Sequence, residues 1–254
     1  MADPANGSGA ASNKRARDAV PAFRATVAAA AKCLTDCAKL HSTAAAPVLM
    51  PWVGFGTYRL GQSSARTATL AALRCGYRMI DTAYIYAGEK CEPEVGKAIT
   101  TALSEGTLGS REEVFVVTKH WRKFHGYEAS LGCLDRSLSR LGLAHVDLWL
   151  MHWPGPAWTT MNRKSSELEE HGPWHYAASG HGEADIRALR AETWRGMEEA
   201  LRAGKTRAIG VSNFTVAHLE ALKATAKVWP PAVNQVGFPL SLGLACALER
   251  RRRG

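Results

Sequence analysis

The sequence predicts an α/β protein of the TIM-type (β/α)8 barrel class, incomplete and with about six strands present. Short runs of β-branched and apolar residues alternate along the chain with longer runs of helical periodicity. A glycine ends several of the helical runs just before the next strand begins. The length of 254 residues, of which 46% are hydrophobic, is enough for one barrel-sized core.

Six segments are predicted to be strands, and about five helices connect them. The strands cover residues 53–56, 77–81, 114–119, 146–152, 207–212 and 232–236. The clearest helix places four leucines on one face: Leu131, Leu134, Leu138 and Leu141. That helix stops at Gly142, and two others stop at Gly76 and Gly204. Because each strand is followed by a helix, parallel βα units are expected.

Three regions are predicted along the chain. Residues 1–45 are rich in Ala, Ser, Gly and charge, and they are expected to form a flexible extension with a short helix over Arg24–Leu40. Residues 46–237 form the barrel, with a large loop over 154–182 at its mouth. Residues 238–254 form an atypical basic tail. A βα unit needs about thirty residues, so this tail is too short for two more units, and a C-terminally truncated barrel is expected.

Composition excludes several classes of function. The net charge of +9 is concentrated in residues 1–40 and in the last five residues, so nucleic-acid binding is not expected. No apolar run is long enough for a membrane span. The six cysteines include no CxxC pair, which favours a reducing, cytoplasmic location, with an organelle transit peptide as the alternative. No metal is expected, because Gly172 and Pro173 separate His171 from His175.

Polar residues recur where the predicted strands end. In a parallel barrel the carboxyl ends of the strands meet at one mouth, where catalytic groups gather. The residues found there carry a carboxylate, an amine, an imidazole, a hydroxyl and two amides: Asp81, Lys119, His152, Ser212, Asn213 and Gln235. Tyr86 follows Asp81 by five residues and can reach the same mouth. We therefore expect an active site at this end of the barrel.

The residue types at this mouth suit the reduction of a carbonyl group. Tyr86 can donate a proton, and an ammonium group at Lys119 is expected to lower the pKa of its phenol. Asp81 would keep Lys119 charged, and His152 would donate a hydrogen bond to the substrate oxygen. No side chain donates hydride, so a nicotinamide cofactor is expected. No G-x-G-x-x-G pattern follows a strand, which excludes a Rossmann domain.

Six segments resemble the aldo-keto reductase family, and the resemblance covers about residues 48–236. Residues 54–58 are similar to the family's first-strand loop. Residues 76–86 are similar to a signature with the family's catalytic Asp and Tyr, and residues 116–119 to the strand with its catalytic Lys. Residues 138–154 are similar to the signature with its catalytic His. Residues 208–214 and 233–235 resemble the segments that bind nicotinamide. The resemblance implies NADPH-dependent reduction of small aldehydes or ketones to alcohols.

The resemblance also assigns binding roles. It implies that the nicotinamide carboxamide is bound by Ser212, Asn213 and Gln235, and that Thr57 and Tyr58 border the nicotinamide ribose and the pocket. It further implies that the substrate pocket is lined by Ile85, Trp121 and Trp153. Gly237 stands where the family usually has Glu. The alternatives are a catalytically impaired truncated form, a non-catalytic nucleotide-binding regulatory protein and, least favoured, a barrel hydrolase or lyase.

Overall fold

The computed structural model describes residues 36–44, 46–156 and 183–237. Two short strands, β1 (Cys37–Lys39) and β2 (Leu49–Pro51), form an antiparallel hairpin. Six further strands form one parallel sheet in the order of the chain: β3 (Phe55–Gly56), β4 (Met79–Asp81), β5 (Phe115–His120), β6 (Val146–Met151), β7 (Thr206–Ser212) and β8 (Asn234–Gln235). The predicted fold class is confirmed, and each of these strands overlaps a predicted one.

A helix lies in each connection between neighbouring parallel strands. These helices are α1 (Gln62–Arg74), α2 (Cys91–Ser104), α3 (Tyr127–Leu141), α4 (Glu183–Arg202) and α5 (Val216–Lys223). One-turn 3₁₀ helices precede and follow β5, at Arg111–Glu113 and Arg122–Phe124. Three leucines of the face predicted for α3 are buried and Leu131 is half-buried. That helix ends at Gly142 with φ of 65°, a left-handed conformation that glycine adopts without strain.

The two faces of the sheet pack against different partners. Alternate strand residues such as Val116, Trp149 and Ile209 share one apolar cluster with the helices. Their neighbours on the other face share a second cluster with Leu40 and Val48 of the hairpin. We call the face that packs on the helices the outer face and the opposite one the inner face. The hairpin thus covers the inner face toward the amino ends of the strands.

The helix predicted over Arg24–Leu40 is wrong at its carboxyl end. Cys37–Lys39 is a β-strand, and Leu40 is buried against the sheet. Helix propensity is a weak preference, and here strand pairing together with burial of an apolar side chain outweighs it. Residues 24–35, most of the 154–182 loop and the tail 238–254 lie outside the described residues.

The sheet curls strongly. Gln235 of β8 donates a hydrogen bond from Nε2 to Oδ2 of Asp81 in β4, at 2.9 Å, although three strands lie between β4 and β8 in the sheet. Such a contact requires the inner face to be concave, as in a barrel. Among the described helices, none combines the length and apolar character needed to cross a lipid bilayer.

Candidate active site

Four predicted site residues lie on the inner face at the carboxyl ends of their strands. Side chains alternate between faces along a strand, so Lys119 lies on the same face as Phe115 and Val117 of the inner cluster. The same alternation places His152 after Leu148 and Leu150, and it places Ser212 with Ala208. Asp81 joins them across the sheet. The predicted site therefore assembles from consecutive strands.

Lys119 is the centre of the site. Its side chain is 1% exposed, and Nζ lies 2.6 Å from Oδ1 of Asp81. The same ammonium donates to the carbonyl oxygen of Thr82 at 2.9 Å and to the hydroxyl of Tyr86 at 3.2 Å. Burial lowers the pKa of Lys119, and the Asp81 carboxylate opposes that change. The three partners satisfy all three donors of the ammonium group.

Tyr86 differs from the prediction in its acidity. Burial raises the pKa of its phenol, and the negative charge of Asp81 raises it further. The predicted lowering by Lys119 is therefore wrong for this structure, because burial of the phenol outweighs the nearby ammonium, and Asp81 lies closer to that ammonium than Tyr86 does and compensates its charge. The phenol remains protonated at neutral pH. A general acid must be protonated before it can donate. A phenol with a raised pKa can transfer its proton to a strong base, such as the alkoxide that forms from a carbonyl group.

His152 lies beside Tyr86, with ring centroids 5.9 Å apart and the rings nearly perpendicular. Burial lowers the pKa of His152 to about 3, and the positive charge of Lys119 contributes. The imidazole is consequently neutral at physiological pH and carries a single N–H donor. Trp121 and Trp153 border the same imidazole, at centroid distances of 5.9 and 6.2 Å. Two residues predicted for the pocket thus flank the predicted oxygen-binding residue.

The three residues predicted to bind a carboxamide converge at the ends of β7 and β8. Ser212 donates from its hydroxyl to the carbonyl oxygen of Gln235 at 2.8 Å. Asn213 donates from Nδ2 to the carbonyl oxygen of His152 at 2.9 Å, with φ of 61° at its own backbone. Among the described residues, the side-chain amides of Asn213 and Gln235 form hydrogen bonds only through their N–H groups. Their side-chain oxygens are therefore available as acceptors. The group therefore fits a primary amide such as that of nicotinamide.

The remaining predicted residues lie at different depths. Thr57 is buried, and its hydroxyl donates to the carbonyl oxygen of Asp81 at 3.0 Å. Tyr58 is exposed, with its ring 5.2 Å from that of Tyr86. Ile85 is half-buried, and its carbonyl oxygen accepts from the backbone N–H of Gly88 and Glu89. Thr57 and Tyr58 therefore border the cluster directly, whereas Ile85 supports the loop that carries Tyr86.

Sequence reasoning missed two groups at the site. The Thr82 carbonyl that holds Lys119 is a backbone group, so no residue type in the sequence signals it. Arg122 is 5% exposed and packs against Trp121 and Trp153, and no motif in the sequence signals this position. Among the described residues, no three His, Cys, Asp or Glu side chains are grouped as metal ligands. His171 and His175 lie outside the described residues.

Comparison with known proteins gives consistent matches. The sequence pattern of the Aldo/keto reductase family matches residues 52–244. A glyoxal reductase of Bacillus subtilis is 35% identical over 206 residues, which are 81% of this chain and 59% of the relative. An NADPH-dependent D-xylose reductase of Meyerozyma guilliermondii is 37% identical over 74% of this chain and 56% of its own. The chain thus spans somewhat more than half the length of these relatives.

Similar solved structures agree with the sequence matches. A Bombyx mori aldo-keto reductase in complex with NADP superposes with a TM-score of 0.61 at 29% identity, covering 84% of this chain and 62% of that one. An aldo/keto reductase of Brucella melitensis superposes with a TM-score of 0.60 at 31% identity, covering 84% of this chain and 67% of that one.

Proposed function

Because this chain belongs to the aldo/keto reductase family, we propose that it reduces aldehydes or ketones to alcohols by hydride transfer from NADPH. One observation carries the proposal. The buried Lys119 ammonium bridges the Asp81 carboxylate and the Tyr86 hydroxyl, beside a neutral His152. This arrangement provides a protonated phenol and an N–H donor around one position, which suits a carbonyl oxygen that gains negative charge.

The roles of the four residues follow from their contacts. His152 donates its N–H to the carbonyl oxygen and orients it toward Tyr86. Tyr86 transfers its proton to that oxygen as the general acid. Lys119 stabilises the phenolate left behind, and Asp81 keeps Lys119 protonated in its buried position. Bound NADPH would supply the hydride that adds to the carbonyl carbon.

The cofactor and substrate occupy neighbouring parts of the mouth. We assign the nicotinamide carboxamide to Ser212, Asn213 and Gln235, whose free acceptors suit an amide N–H. Thr57 and Tyr58 border the ribose, and Trp121 and Trp153 line the carbonyl pocket beside His152. Ile85 would border the pocket from the loop that carries Tyr86. The free thiols of Cys75, Cys91 and Cys133 fit the cytoplasmic location that we propose.

Replacing Tyr86 with phenylalanine tests the proposal. Tyr86→Phe removes the proton donor and little volume, so we expect turnover of an aldehyde to fall by about two to four orders of magnitude. The dissociation constant of NADPH, measured by fluorescence titration, should remain unchanged. Tyr77→Phe is the matched control, because its ring packs on Phe55 outside the site.

The two measurements together separate the possible results. Unchanged turnover by the Tyr86→Phe chain would remove Tyr86 from the proposed role. Saturable NADPH binding by the wild-type chain, without reduction of any aldehyde, would instead support the non-catalytic nucleotide-binding alternative.

A further inference from the structure

Arg122 is a buried cation with few partners. Its side chain lies just beyond β5 and is 5% exposed. One nitrogen, Nη2, donates to the carbonyl oxygen of Pro156 at 3.0 Å, and the buried Nε has no hydrogen-bond partner. Within the part of the chain that the structure describes, no carboxylate forms an ion pair with Arg122. A guanidinium has five N–H donors, so most of its hydrogen-bonding capacity is unused.

Other arginines on the outer layer of the protein are paired with acids. Arg111 lies 2.9 Å from a carboxylate oxygen of Asp147, and Arg140 lies 2.6 Å from one of Glu89. Both are more exposed than Arg122. A buried charge without a counter-ion is costly, whereas the same charge paired with an anion is stabilised. Arg122, by contrast, is buried and has no anionic partner among the described residues.

The position of Arg122 relates it to the proposed reaction. Its guanidinium carbon lies 5.2 Å from the ring centre of Trp153 and 6.0 Å from that of Trp121. The same two indole rings lie 6.2 and 5.9 Å from the imidazole of His152. The indole rings of Trp121 and Trp153 thus contact both Arg122 and the imidazole of His152. An anion bound there would lie a few bonds from a carbonyl group held by His152.

We propose that Arg122 binds a carboxylate carried by the substrate, so that the preferred substrates are aldehydes with an anionic group a few bonds from the carbonyl carbon. This inference rests on the proposed function and names its substrate class. The planar guanidinium matches the two oxygens of a carboxylate. The indole rings of Trp121 and Trp153 would border the apolar chain between carboxylate and carbonyl.

Two aldehydes of equal chain length test the inference. Succinic semialdehyde carries a terminal carboxylate, and butanal has a methyl group in its place. For Arg122→Met, we expect kcat/KM for succinic semialdehyde to fall at least about tenfold, while that for butanal changes less than about threefold. Arg122→Lys keeps the charge without the planar fork and should give an intermediate fall. Lys123→Met is the control, because Lys123 pairs with Glu89, and it should leave the ratio of the two values unchanged.

The butanal measurement separates a structural role from substrate binding. An equal fall for both aldehydes in Arg122→Met would mean that Arg122 only holds the Pro156 segment, and it would overturn the inference. Should that variant not fold, the wild-type chain decides. Its preference for succinic semialdehyde should weaken as ionic strength rises. A wild-type chain that reduces butanal without favouring succinic semialdehyde overturns this inference alone, whereas one that reduces neither overturns the proposed function as well.

Discussion

Lys119 and His120 are neighbours in β5, and both are buried, yet their surroundings differ completely. Lys119 is on the inner face, where a carboxylate, a carbonyl and a hydroxyl surround its ammonium. His120 is on the outer face, between the rings of His125 at 4.8 Å and Trp149 at 6.3 Å. Within the described part of the chain, neither ring nitrogen of His120 forms a hydrogen bond. One step along a strand therefore separates a fully partnered ionisable group from an unpartnered one.

This difference shows that the surroundings on each face determine whether a buried ionisable group is charged or neutral. On the inner face, partners hold Lys119 in its charged form despite burial. On the outer face, burial lowers the pKa of His120 to about 4, so the imidazole is neutral and packs as an aromatic ring. We infer that chemistry is confined to the inner face and that the outer face contributes stability. Three substitutions test this division, in decreasing order of expected effect.

The largest effect is expected on the inner face. Lys119→Met keeps much of the side-chain length but removes the ammonium that stabilises the Tyr86 phenolate. Aldehyde turnover should fall at least about a hundredfold, because proton transfer from Tyr86 loses its electrostatic support. Steady-state kinetics with saturating NADPH measures this fall.

His120→Leu is the matched control on the outer face. It changes the adjacent buried residue without removing a hydrogen bond, so turnover should stay within about threefold of wild type. Comparable losses of aldehyde turnover in Lys119→Met and His120→Leu would show that the inner and outer faces are not functionally distinct.

Much of this division was predictable from the sequence. The alternation of side chains along each strand places Lys119, His152 and Ser212 on one face, and the barrel brings strand ends together. The hairpin that buries Leu40 was not predictable, because it depends on contacts distant in the chain. The acidity of Tyr86 was mispredicted because burial, which a motif does not report, outweighs the nearby ammonium. That Arg122 has no ion-pair partner among the described residues likewise depends on packing that sequence patterns do not reveal.

The second prediction concerns the dependence of stability on pH. The pKa of His120 is about 4 in the folded chain, whereas an unfolded histidine titrates near about 6.5. Between these values the unfolded chain binds a proton that the folded chain does not. Lowering the pH therefore favours unfolding, and stability is lost as the pH falls from about 6.5 toward 4. We expect His120 to contribute a loss on the order of 3 kcal/mol by pH 4.

Urea denaturation of wild type and His120→Leu at pH 7 and pH 4 measures this contribution. His125 is also buried, with a pKa well below its usual value because of burial and the nearby His120, so the variant should lose only part of the pH dependence. The free-energy difference between the two proteins should shift in favour of the variant at pH 4. An identical pH dependence in both would show that His120 is not buried as a neutral ring.

The smallest effect is expected for a substitution in the loop after Tyr86, which connects the two faces of the sheet. The loop after Tyr86 contains Ala87 and Glu89 with φ of 53° and 71°, conformations that are unfavourable for residues other than glycine. The Glu89 carboxylate lies 2.8 Å from the ammonium of Lys123 and 2.6 Å from the guanidinium of Arg140. These ion pairs hold the loop on the outer layer, while Tyr86 extends to the inner face. Glu89 is therefore a positioning residue.

Glu89→Gln should lower stability by about 1 kcal/mol or less, because the two ion pairs are partly exposed. Relaxation of the strained loop should lengthen the contact between Tyr86 and Lys119, so kcat should fall a few-fold while KM for the aldehyde is unchanged. Glu94→Gln is the matched control, since its pair with Lys97 lies on α2 away from the loop, and kcat should not change. If Glu89→Gln loses stability but keeps full kcat, the ion pairs of the outer layer do not position Tyr86, and the two faces act independently even at this loop.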